Sequence, residues 1–102
     1  MPNANEPEKT HQTLVDLIYN EERANYQFMV KNLRYGMGKE VGEIDLLGYN
    51  KGVYDIYEIK SNTTQKNKEH AREQLKRAMQ YLGFEKARLY YATQQIRKEE
   101  IK

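Results

Sequence analysis

The sequence contains no cysteine, which excludes disulfide bonds and metal sites built from thiolates. No apolar run approaches the roughly 20 residues that a membrane-spanning helix needs. Residues 1–10 are polar and lack the apolar stretch of a secretion signal, so we expect a soluble, cytoplasmic protein without a membrane partner. There are only two histidines, and His11 falls in the predicted N-terminal tail, so no metal site that uses both is expected.

Charge gives little global indication of a partner, because 17 basic residues face 15 acidic ones and the net charge is +2. The distribution is less even, since residues 65–77 carry a local surplus of positive charge. Such a surplus is typical of a solvated helix face, and it would also attract a nucleic acid backbone. The basic residues of this segment are Lys66, Lys68, Arg72, Lys76 and Arg77.

The 102 residues suffice for one domain, which we expect over residues 10–102, after a flexible tail at residues 1–9. This length favours two packed layers. Apolar spacing and turn residues predict the order α-β-β-β-α-β, a small mixed sheet flanked by helices in an α/β fold. The predicted elements are a helix over 13–32, strands over 32–37, 41–49 and 53–61, a helix over 68–82 and a strand over 86–94.

Three charged residues of the predicted hairpin, Asp45, Glu58 and Lys60, are candidates for a site. Side chains alternate along a strand, so Glu58 and Lys60 point to one face, and a turn near Asn50 brings Asp45 beside Glu58. Two carboxylates and the Ile59 carbonyl oxygen make a site suited to Mg²⁺ or Mn²⁺, with Lys60 beside a bound water or a phosphate. A surface salt bridge between Glu58 and Lys60 is the alternative. Charged residues in the middle of strands are costly unless they are paired or bind metal, which favours the site.

The hairpin resembles the second and third motifs of the PD-(D/E)XK nuclease superfamily, in the segments GEIDL (42–46) and YEIKS (57–61). Ile44 stands at the place of the motif's proline. That superfamily includes restriction endonucleases, RecB-like nucleases and archaeal Holliday-junction resolvases, and its core has the order α-β-β-β-α-β. The resemblance spans about residues 13–94. It implies a restriction-endonuclease-like fold and a Mg²⁺-dependent endonuclease that hydrolyses DNA phosphodiester bonds, without a small-molecule cofactor and as a homodimer.

The resemblance also implies an acidic residue on the first helix and a glutamine on the second. Taking ~100° per residue, Glu21 lies nearer the middle of the predicted apolar stripe than Glu22, so we expect Glu21 at the metal or its water. Gln74 resembles the glutamine of the RecB-like branch, where it would hold Lys60 or a phosphate, although Ala78 replaces that branch's usual tyrosine. By spacing, Gln74 belongs to a row beside the apolar stripe that runs from His70 to Tyr81. The residues expected to contact nucleic acid are Lys66, Lys68, His70, Arg72 and Arg77.

Two other functions fit the same sequence. A non-catalytic nucleic-acid-binding module would use the same fold and basic helix without cleavage. A structural or partner-binding protein would show neither metal affinity nor salt-dependent DNA binding. The intact set of Asp45, Glu58 and Lys60 favours the nuclease, because a retired site would have little reason to keep all three.

Overall fold

A computed structural model describes residues 10–84 and 86–102, apart from the side chains of residues 40 and 41. The expected tail, residues 1–9, lies outside the described residues. The chain forms a mixed α/β fold, in which a five-stranded mixed sheet has one helix against each face. The expectation of two layers was wrong, because both sheet faces are apolar and each is covered. The elements are α1 (His11–Glu22), a 3₁₀ turn (Arg23–Asn25), β1 (Phe28–Met37), β2 (Glu40–Asn50), β3 (Val53–Ile59), α2 (Gln65–Leu82), β4 (Ala87–Ala92) and β5 (Glu99–Ile101).

The strands lie in the sheet in chain order. All neighbours are antiparallel except β3 and β4, which run parallel because α2 forms the crossover between them. The predicted order of elements is present, with β5 added after it. The sequence analysis missed β5, since three residues that include Glu99 and Glu100 give no strand signal.

The predicted hairpin between β2 and β3 is present, and it closes through a two-residue turn, one residue shorter than the connection expected over residues 50–52. Asn50 pairs with Val53, and between them Lys51 and Gly52 have φ angles of 50° and 85°. Positive φ at both positions is the geometry that matches the twist of a hairpin, and it favours glycine at the second position. This turn fixes the register that the site depends on.

The first helix is shorter than predicted. The Thr10 side chain caps it by accepting from the Thr13 N–H, and it ends at Glu22 instead of residue 32. Phe28 and Met29 continue the helical spacing of the apolar stripe by coincidence and instead begin β1. Phe28 is 46% exposed, because it lies on the sheet surface instead of under the helix.

The second helix begins at Gln65, three residues before the predicted start, because Thr64 caps it by accepting from the Asn67 N–H. It ends at Leu82, and Gly83 follows in the left-handed region with φ 67°. The last predicted strand, over residues 86–94, is shorter in the structure. Among the described residues, neither helix is long and apolar enough to cross a lipid bilayer.

Two apolar cores lie on opposite faces of the sheet. Under α1 the buried side chains are Leu14, Val15, Ile18, Leu46, Tyr57, Ile59, Tyr90 and Ala92. Under α2 they are Ile44, Leu47, Ile56, Ala71, Leu75, Ala78, Leu89, Tyr91 and Ile101. Each helix is therefore held by its own core, and the sheet between them is buried on both sides.

The strand β2 is irregular at Asp45. Residues two apart in a regular strand share a face, yet Ile44 packs under α2 and Leu46 packs under α1. On β1, Asn32 has φ 55°, and neither Asn32 nor Asp45 belongs to a register pair of the described sheet. Asp45 therefore lies outside the regular ladder, and it lines a cavity to which residues of both helices contribute.

Candidate active site

The carboxylates of Asp45 and Glu58 meet where β2 and β3 separate. The last register pair of these strands is Leu46 with Tyr57, so Asp45 and Glu58 are the next residues on each strand. Their exposed fractions are only 3% and 6%. The Ile59 peptide N–H donates to Asp45 Oδ2 at 2.8 Å. The predicted proximity is present, and in this structure Ile59 contacts Asp45 through its N–H.

The buried carboxylates of Asp45 and Glu58 interact directly, and both cannot easily be ionised because their negative charges repel each other. Burial, followed by the negative charge of Asp45, raises the pKa of Glu58 to about 8, and Lys60 offsets only part of this effect. Without a cation, the pair therefore holds a proton at neutral pH. Among the described residues, histidine, aspartate and glutamate form no group of three arranged to hold a metal ion. A cation here would have two side-chain ligands, Asp45 and Glu58.

Lys60 follows β3 directly, and its backbone N–H donates to the Ala92 carbonyl at 2.9 Å. Its Nζ donates to Gln74 Oε1 at 2.7 Å and lies 3.5 Å from Glu58 Oε2. The Gln74 contact is the one expected from the sequence. The Lys60–Glu58 ion pair differs from an exposed surface pair, because the two side chains are only 20% and 8% exposed.

His11 also reaches this site, which corrects its assignment to the N-terminal tail. It is the first residue of α1, and its Nε2 lies 3.2 Å from Asp45 Oδ2. The sequence analysis missed this contact because the two residues are 34 positions apart. The signal available was Thr10, a preferred N-cap residue that would have placed His11 on the first helix.

A cavity of about 440 Å³ opens above the two carboxylates. Its lining residues come from both helices and from three strands: His11, Arg34, Gly42, Glu43, Asp45, Glu58, Gln74 and Arg77. Gly42 leaves room for the Tyr35 ring, because a Cβ at Gly42 would lie 2.4 Å from the ring's hydroxyl end and the ring would have to move. Sequence reasoning did not single out Arg34 or Glu43.

The predicted row on α2 runs along this region. Gln74 and Arg77 line the cavity, and with His70 and Glu73 they line a second one of about 260 Å³ beside it. Tyr81 continues the row and packs against Tyr35, with ring centroids 5.1 Å apart. The helical spacing of the row was therefore sufficient to place its residues.

Glu21 lies away from the site, contrary to expectation. It forms an ion pair with Arg97 at 3.5 Å, and the length of α1 separates it from His11 by roughly 15 Å. The prediction relied on Phe28 as part of the helix stripe, and Phe28 belongs to β1. Glu21 is accordingly not a ligand candidate in this structure.

Glu22, the other acidic residue considered, lies closer to the buried stripe of α1. Measured from the centre of the buried residues Leu14, Val15 and Ile18, it deviates by roughly 35°, against roughly 65° for Glu21. Its carboxylate accepts from the Tyr57 hydroxyl at 3.1 Å and from Lys98 Nζ at 3.2 Å. These contacts lie on the α1 face, opposite Glu58.

The basic residues predicted to contact nucleic acid separate into two groups. His70 and Arg77 lie at the cavities described above. Lys66 and Arg72 are exposed on α2 and line neither of these cavities. Lys68 also lines neither cavity, and its Nζ is bound to the Glu99 carboxylate of β5.

A second buried acid, Asp55, lies on the α1 face of β3 and was not identified from the sequence. It is 1% exposed and receives two hydrogen bonds from the Arg88 guanidinium, at 2.7 and 2.9 Å. The Tyr26 hydroxyl donates to it at 2.7 Å and lies 2.7 Å from the Tyr57 hydroxyl. Burial raises the pKa of both tyrosines, so the hydroxyls remain protonated. This network is fully paired and supports the sheet.

Comparisons with known proteins do not assign this chain to a family. No protein-family model matches this chain, and no curated protein is found to be similar to it. The buried carboxylates and the residues around the cavity are therefore the features that indicate a function.

Proposed function

We propose that this protein is a metal-dependent nuclease of the PD-(D/E)XK type, which hydrolyses phosphodiester bonds in DNA with Mg²⁺, or Mn²⁺ in its place. The observation that carries the proposal is the buried pair of Asp45 and Glu58, with Lys60 beside it, at the floor of an open cavity. Burial of two like charges is unfavourable for folding, and a fold that retains them at a cavity is the usual mark of a functional site.

The donor chemistry fits a hard divalent cation. Asp45 and Glu58 would be its side-chain ligands, the Ile59 carbonyl oxygen would be the backbone ligand, and water would complete the shell. The proton that the pair holds is displaced when a cation binds, because the cation removes the repulsion that raises the pKa of Glu58. When bound, Mg²⁺ supplies Lewis-acid activation of the phosphate and of a water molecule.

The remaining residues of the site position other groups or offset charge. Lys60 Nζ is held by Gln74 Oε1 at 2.7 Å, so its position does not depend on Glu58 alone. From there it would orient the attacking water or offset the charge that develops on the phosphate. His11 lies against Asp45 Oδ2 and fixes the direction of that carboxylate, the usual role of a partner behind a metal ligand.

Endonucleolytic action and a homodimer belong to the same proposal, and both rest on the resemblance to junction resolvases. The alternative of a non-catalytic nucleic-acid-binding module has one observation in its favour. The cavity has cationic residues on its rim, such as Arg34 and Arg77, that would bind a nucleic acid with or without cleavage.

The experiment that tests the proposal is single-turnover cleavage of duplex, flapped and four-way-junction DNA in Mg²⁺, Mn²⁺ or EDTA. We expect cleavage that requires the metal, and we expect Lys60→Ala to lower its rate by about 10² or more while DNA binding is retained. Lys51→Ala is the matched control, because Lys51 is an exposed lysine in the turn at the other end of the hairpin. Metal-dependent cleavage that is unchanged in Lys60→Ala would remove the catalytic role of Lys60. Binding without cleavage in any metal would favour the alternative.

A further inference from the structure

Two arginines line the carboxylate cavity from different elements of the fold. Arg34 projects from β1, at the edge of the sheet, and Arg77 projects from α2. Asp45 and Glu58 lie in the same cavity of about 440 Å³. An anion entering this space would therefore meet a guanidinium on the sheet side and another on the helix side.

Neither guanidinium is engaged within the described part of the chain. Arg34 and Arg77 form no hydrogen bond, ion pair or ring contact there, whereas Arg88 and Arg97 pair with Asp55 and Glu21. Glu43, the register partner of Arg34, lines the same cavity without pairing with it. The two cations are thus available to an external ligand.

The charge of the cavity identifies the class of that ligand. A phosphodiester that approaches Asp45 and Glu58 is repelled by carboxylate charge, and a divalent cation would at most neutralise the two acids. A guanidinium presents a planar fork of donors that matches two phosphate oxygens. Two such groups at one cavity supply the positive charge and the donors that the carboxylates lack.

We propose that Arg34 and Arg77 form a phosphate-binding site that takes a single phosphodiester group of a nucleic acid from both sides and presents it to the carboxylate pair. The proposal deepens the nuclease function, since it identifies how that site holds its substrate. Binding at the two arginines itself requires neither metal nor cleavage, so it is testable separately.

The test is a scan of a DNA duplex with neutral methylphosphonate linkages, one position at a time, with dissociation constants measured by fluorescence anisotropy in EDTA. In the wild-type protein, we expect neutralisation of one linkage to weaken binding by about tenfold or more, as for hydrogen bonds to a charged group. Arg34→Gln and Arg77→Gln should each weaken binding to the unmodified duplex. In both variants, neutralisation of that same linkage should then raise the dissociation constant much less than it does in the wild type.

Arg23→Gln is the matched control, because Arg23 is exposed on the 3₁₀ turn that follows α1 and lines neither cavity, and its guanidinium lies over the Tyr19 ring. It should leave the effect of every linkage unchanged. Arg34→Lys and Arg77→Lys keep the charge without the fork, and we expect them to restore part of the sensitivity. Wild-type binding that depends on no single linkage, or two arginines that respond to different linkages, would overturn the shared site.

The outcomes of this test and of the cleavage test are distinct. A shared linkage in a protein that never cleaves DNA would keep the phosphate site and remove the nuclease proposal. Metal-dependent cleavage without a shared linkage would do the reverse. Each proposal can therefore fail alone.

Discussion

Replacement of Glu58 by glutamine should stabilise the metal-free protein at neutral pH. Glutamine has the shape of protonated glutamate, the form that the buried pair holds. The folded-state pKa of Glu58 is raised from 4.5 to about 8 by burial and by Asp45. Its contribution to stability is therefore fully present below pH 4.5 and is lost as the pH rises through about 8.

The magnitude follows from the proton that unfolding releases. Between these two pKa values the unfolded state binds one proton fewer at this residue, so the unfolding free energy falls by about 1.4 kcal/mol per pH unit. From roughly pH 5.5 to pH 7 the loss amounts to about 2 kcal/mol, a large part of the stability of a small domain. Glu58→Gln removes this dependence.

The assay is urea unfolding in EDTA at a series of pH values, followed by circular dichroism, for wild type and Glu58→Gln. The difference between their unfolding free energies isolates Glu58 from the other titrating groups. Glu21→Gln is the control, since Glu21 is exposed and distant from the cavity. If the wild-type and Glu58→Gln curves run parallel from pH 5 to pH 8, Glu58 ionises in the folded protein as it does in water, and the argument from coupled burial is wrong.

Three further substitutions distinguish residues that serve the proposed site from residues that stabilise the fold. His11→Ala should lower Mg²⁺ affinity by about tenfold without unfolding the protein, because it removes the partner behind a metal ligand; calorimetry with equal affinities would show that His11 plays no such part. Arg88→Met leaves the buried Asp55 carboxylate without its cation and should cost about 3 kcal/mol in urea unfolding, and a loss too small to measure would contradict the network. Tyr57→Phe removes one hydrogen-bond donor to Glu22 and should lower the unfolding free energy by about 1–2 kcal/mol. Its single-turnover cleavage rate should be unchanged, and a slower rate would show that residues on the α1 face of the sheet also serve the site.

The parts of the site that sequence could predict are those fixed by local geometry. Asp45, Glu58 and Lys60 follow from a short turn between two strands and from alternation along β3. Gln74 follows from the resemblance to RecB-like nucleases, and helical spacing on α2 places it. Each of these rules acts over a few residues. The Lys60–Gln74 bond, across 14 positions, needed only the two elements to pack as expected.

The parts that sequence could not predict depend on where elements end and on contacts between distant residues. Phe28 and Met29 continued the helical spacing of the apolar stripe by coincidence, which extended the predicted first helix through the start of β1, and the inclusion of Phe28 drew Glu21 toward the site. Arg34 lies inside the predicted strand over residues 32–37, but its place at the cavity depends on how β1 pairs with β2, which the sequence does not specify. Propensity carries little information on such boundaries when tertiary packing decides them.

The two buried acids of β3 differ in their partners, a difference that the sequence pattern does not show and the structure does. Asp55 and Glu58 are three residues apart, so alternation places them on opposite faces, and both are acidic residues in the interior of one strand. In the structure, Asp55 accepts two bonds from Arg88 and one from Tyr26, so its charge is compensated. Glu58 shares a single lysine with Gln74 and faces a second carboxylate. A fold can retain such repulsion when a cation from solution relieves it, so the incomplete pairing of Glu58, more than its burial, is the reason for proposing the metal site there and not at Asp55.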